Sequence, residues 1–63
     1  MKAKLIKAVT TDTDFSVCIF QHGEQYIVTT YDNVMQKHEV EMITESKSDA
    51  LKKMDELNKG YTI

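Results

Sequence analysis

No arginine, proline or tryptophan occurs among these 63 residues, and there is a single cysteine, Cys18. Each absence narrows the reading. One cysteine excludes an internal disulfide and, with only two histidines, leaves too few soft ligands for a structural zinc. Without arginine the eight cations are all lysine, against ten carboxylates, for a net charge of −2. Arginine supplies the bidentate fork that phosphates and guanine edges select, so a slightly acidic chain lacking it is a poor candidate for tight nucleic-acid binding. Apolar runs are short: in Met1-Lys2-Ala3-Lys4-Leu5-Ile6-Lys7 the run stops at two residues, far below a secretory core or the roughly 20 residues of a membrane span. A lone strand cysteine behind such a start predicts an unprocessed protein of the reducing cytoplasm. The lysine-only, proline-free composition suggests A+T-rich coding DNA, as in a low-GC bacterium or one of its phages.

What is present reads as hairpins followed by one helix. Ala3 to Thr10 is strand-like, although the adjacent Leu5-Ile6 blurs its facing. Thr11-Asp12-Thr13-Asp14 offers short polar side chains for a turn. A second strand follows from Phe15 to Gln21, His22-Gly23 forms a two-residue loop, and a third strand runs from Glu24 to Tyr31. Asp32-Asn33 turns the chain into a fourth strand, Val34 to Ile43, with a four-residue loop through Met35 as the rival. Ser46-Lys47-Ser48-Asp49 has capping-box spacing, so a helix is predicted from Lys47 to Lys59, stopped by Gly60 with Tyr61-Thr62-Ile63 as a tail. Ala50, Leu51, Met54 and Leu57 form its apolar stripe. The expectation is one α+β domain over residues 1–63, an antiparallel sheet of three to four strands with the C-terminal helix packed on one face.

Strand alternation sorts the side chains into two sets. One collects Cys18, Phe20, Ile27, Tyr31, Val34, His38, Val40 and Met42. The other collects Phe15, Val17, Ile19, Tyr26, Val28 and Thr30, with Met35, Lys37, Glu39 and Glu41 from the fourth strand. Since charges must see water, the helix is expected on the Cys18 side. Phe15, Val17, Ile19, Tyr26 and Val28 then require outside cover. Each large apolar side chain is worth roughly 1.5–3 kcal/mol when buried, and a domain this small holds only about 5 kcal/mol in reserve. These five are therefore the candidate protein interface, most simply with a second copy of the chain.

No side-chain pattern rises to a catalytic, metal or cofactor motif. Cys18 in a central strand would have a raised thiol pKa. His22 falls in a turn, and His38 has no ligand-spaced partner. The carboxylate pairs Asp12/Asp14, Glu39/Glu41 and Asp55/Glu56 sit at solvated positions, and Asp12-Thr13-Asp14 is too short for a calcium loop. The expectation is a non-catalytic protein-interaction module, a homodimer without cofactor or membrane, suited to an accessory or inhibitory role for a phage or mobile element. The alternative is a single-stranded nucleic-acid binder stacking bases on Phe15 and Tyr26 beside Lys7 and Lys37.

Overall fold

The computed structural model describes residues 3–11 and 14–61, and of residues 60 and 61 the backbone alone. Asp12 and Thr13 of the expected first turn, and Thr62-Ile63 of the expected tail, lie outside it. Four strands, β1 (Lys4–Thr10), β2 (Phe15–His22), β3 (Gln25–Asp32) and β4 (Lys37–Thr44), form one antiparallel sheet in chain order, and α1 (Lys47–Tyr61) packs on it. This is the α+β hairpin architecture that the sequence pattern predicts.

Both hairpin loops sit away from their expected positions. The first is Gly23-Glu24, with His22 paired to Gln25. Gly23 alone takes positive φ there, at 63°, as type II′ loops with glycine first require. The second has four residues, as in the rival reading, but lies one residue later, at 33–36 rather than through Met35, with Asp32 paired to Lys37. Asp32 Oδ1 accepts from the backbone N–H groups of Val34 (2.9 Å) and Met35 (3.2 Å), and Gln36 supplies the left-handed residue at φ 56°. Each correction slides the pairing by an even number of residues, so partners change while the facing of the side chains does not.

Two bulges do change the facing. The β1–β2 register shifts between Leu5 and Lys7, and the β3–β4 register shifts between Val28 and Thr29, where Glu41 is the extra residue. Leu5 therefore pairs with Phe20 while Ile6 turns to the opposite side and packs on the core. In β4, Met42 pairs with Val28 and Ile43 with Ile27, so Met42 leaves the Cys18 set to which simple alternation assigned it.

The helix lies on the side opposite to the one expected. Val17, Ile19 and Val28 are each 0% exposed and form the core with Ala50 and Met54. Ile6, Val9, Tyr26, Met42 and Leu57 pack around them. The charges used to place the helix mislead because they lie beyond its reach. Lys37 and Glu39 share the helix side yet stay exposed at the far end of an edge strand, and Glu41 is half-buried, accepting a hydrogen bond from Thr30 Oγ1 at 3.2 Å.

The start of α1 is the predicted one. Ser46 Oγ accepts from the Asp49 N–H at 3.2 Å and the Ser46 carbonyl from the Ala50 N–H at 3.1 Å. The reciprocal arm of the cap comes from Thr44, whose Oγ1 accepts the Ser46 N–H at 3.1 Å. At the other end the helix continues through Gly60 to Tyr61, so Gly60 is not its stop. Leu51 is exposed on the flank of the stripe rather than within it.

Candidate functional site: the open face of the sheet

One helix covers one face of the sheet, and the other face is open. Pairing across all four strands aligns it in three rows. The first is Leu5, Phe20, Ile27 and Ile43, apolar from edge to edge. The second is Ala8, Cys18, Thr29 and Val40, mostly small. The third is Thr10, Ser16, Tyr31 and His38. None of these rows holds an Asp, Glu or Lys. Leu5 (51%), Val40 (57%) and Ile43 (58%) are exposed, with Phe20 and Ile27 half-buried between them. The strip is thus continuous, apolar and uncharged across the sheet.

At the polar end of the strip three rings cluster. His38 lies against Tyr31, centroids 4.6 Å apart, and edge-on to Phe20 at 5.4 Å. Its Nδ1 is 3.0 Å from Thr29 Oγ1, the tautomer setting which atom donates. The same threonine hydroxyl bonds Cys18, so a cysteine, a threonine and a histidine from three strands meet on this face. The thiol of this group is quiet. Burial pushes the Cys18 thiol up from its ordinary value and outweighs the opposite effect of the Thr29 hydrogen bond, which leaves the protonated, unreactive form at neutral pH. Cys18 is buried as expected, but on the open face rather than beneath the helix. Among the described residues no three His, Cys, Asp or Glu side chains come together as metal ligands would.

The five residues proposed from sequence as an interface are placed on the helix side. Val17, Ile19 and Val28 are core, while Phe15 and Tyr26 are half-buried. A surface made of them would require removing the helix, and the face of the sheet left open is the opposite one. Alternation missed Leu5 and Ile43, although a signal for both is present. Leu5-Ile6 and Met42-Ile43 are adjacent apolar pairs that break alternation, and each stands at or beside a bulge that gives one residue to each face.

Among the described residues no helix is long and apolar enough to cross a membrane. Comparison with protein-family models, with curated proteins and with solved structures finds no match for this chain.

Proposed function

We propose that this chain is a non-catalytic protein-interaction module of the cytoplasm that works through the open face of its sheet, as a homodimer or on another protein. The observation that carries the reading is the row Leu5, Phe20, Ile27 and Ile43, four large apolar side chains side by side with no charge among them. Apolar burial is the main driving force of protein association, and a charge-free centre is the compositional mark of an interface core. An accessory or inhibitory role for a phage or mobile element fits a chain of this size with an uncharged apolar face.

The ring cluster on the open face favours a second reading, a single-stranded nucleic-acid binder stacking bases on Phe20, Tyr31 and His38. Against it, the lysines of the sheet, Lys4, Lys7 and Lys37, pair with helix-side residues and not with these rings, so the phosphate attraction that dominates such binding is absent from the face.

One experiment separates them. A photoreactive benzophenone side chain is placed at Ile43, with a control at Lys52 on the exposed surface of α1, and irradiated in the source cell. Adducts to protein, self or foreign, formed from position 43 and not from position 52 support the module. Adducts to nucleic acid alone, with oligonucleotide binding that falls steeply as salt rises, would replace it with the second reading.

A further inference from the structure

Resting on that reading, we infer that the occupant of the open face is a second copy of this chain, docked face to face about a two-fold axis crossing the strands between the Phe20–Ile27 row and the Cys18–Thr29 row. A two-fold contact must be self-complementary, and rotation about that axis makes this face so. Rotation there exchanges the large row with the small one: Phe20 comes over Cys18 of the second copy, Leu5 over its Ala8, Ile27 over its Thr29. Large meets small on β1, β2 and β3, the interdigitation that packed sheets require, and on β4 Ile43 comes over Val40, apolar on apolar. The outer rows exchange as well. Ser16 and Tyr31 come over His22 and Gln25 of the second copy, so polar groups meet polar groups at the rim.

Charge points the same way. Any charged side chain near a two-fold axis faces its own copy, and the three rows hold none. Edge-to-edge pairing, the other route by which a sheet recruits a copy, is obstructed on both outer strands. β1 and β4 each carry a bulge, with Lys4 and Lys7 on one and Lys37, Glu39 and Glu41 on the other, the devices that block strand addition. Four strands of up to eight residues, about 4.8 Å apart and rising about 3.3 Å per residue, present a face on the order of 500 Å², the size of the smaller interfaces that associate at micromolar concentration and below the ~800 Å² per partner of a standard one.

Sedimentation equilibrium at micromolar concentration tests the inference on the parent, Leu5→Lys, Ile43→Lys and Leu51→Lys. Leu5 and Ile43 lie on opposite edges of the sheet but on the same face, and both are exposed in the single chain, so lysine there leaves folding intact; circular dichroism melts confirm it. The parent should sediment at twice the chain mass of 7.3 kDa. Leu5→Lys and Ile43→Lys should each weaken the dimer by about tenfold or more, the lower bound allowing for lysine reaching to the rim. Leu51→Lys, on the helix, should leave it unchanged. A dimer lost with Ile43→Lys alone is an edge pairing, and a dimer indifferent to both forms elsewhere; either overturns the inference. A monomeric parent overturns it too, and the photoadducts then decide the wider reading: foreign protein at position 43 leaves the interaction module standing, nucleic acid alone removes both.

Discussion

Val28 and Val34 are the same residue type six positions apart, and the structure gives them opposite fates. Val28 is fully buried under α1, whereas Val34 is 71% exposed in the β3–β4 loop. Val28→Ala should cost roughly 2 kcal/mol in lost burial and residual cavity, and Val34→Ala less than about 0.5 kcal/mol. Urea melts of the two variants check this; a Val28→Ala protein as stable as the parent would return Val28 to the surface and the helix to the other face. Cys18 carries a pH prediction. Its folded-state pKa lies above the ordinary value of 9.0 because burial disfavours the thiolate. The stability tied to the neutral thiol is therefore fully present below about pH 9 and is lost as pH rises through the folded pKa. Stability should fall more steeply above pH 9 in the parent than in Cys18→Ala, measured by urea melts at pH 8 and pH 10. Alkylation of native protein at pH 8 should be slow and should accelerate on adding denaturant. Rapid stoichiometric labelling would mean that the thiol is accessible.

Among the elements, the helix start was the most legible, because a cap is a local matter of spacing. Ser46→Ala removes the hydrogen bond to the Asp49 N–H and should cost about 1 kcal/mol, a fall in melting temperature of about 4–8 °C for a domain this size. Thr44, which accepts the Ser46 N–H, keeps its own contact in that variant, so a fall well beyond this range would mean that the two caps act as a unit. The strands were legible from alternation and β-branched content, and their two-sided sorting survived both loop corrections because each slid the register by an even step. Met42 was misplaced and Ile43 missed because the bulge at Glu41 adds one residue and reverses the facing after it. That reversal has a consequence at the next junction. Thr44 pairs with Tyr26 on the helix side, and only Glu45 and Ser46 separate it from α1, so a two-residue connection carries the helix to the side that Thr44 faces.

For the whole molecule, the side taken by the helix was not legible in the charges, because it follows from where the chain leaves β4 and from which side chains fill a core. Val17, Ile19 and Val28 stand together at the middle of one face, while the middle of the other is Cys18 and Thr29, smaller and partly polar. The helix takes the bulkier centre and leaves a face whose large residues form a strip beside a trough. A chain of 63 residues with one face wet is marginal by itself, and docking of a second copy would make its stability depend on concentration. If the native state is a dimer and the unfolded state a monomer, each tenfold increase in protein adds about 1.4 kcal/mol per dimer by mass action. With an unfolding entropy of about 2.1 cal/mol/K per residue summed over two chains, that raises the melting temperature by about 5 °C. Calorimetric scans at 5, 50 and 500 μM (round values at about tenfold steps) should therefore climb by this increment for the parent. Ile43→Lys, whose dimer is weakened by about tenfold or more, should melt lower than the parent at every concentration. A parent whose midpoint ignores concentration folds without its copy, and the apolar strip then carries no share of its stability.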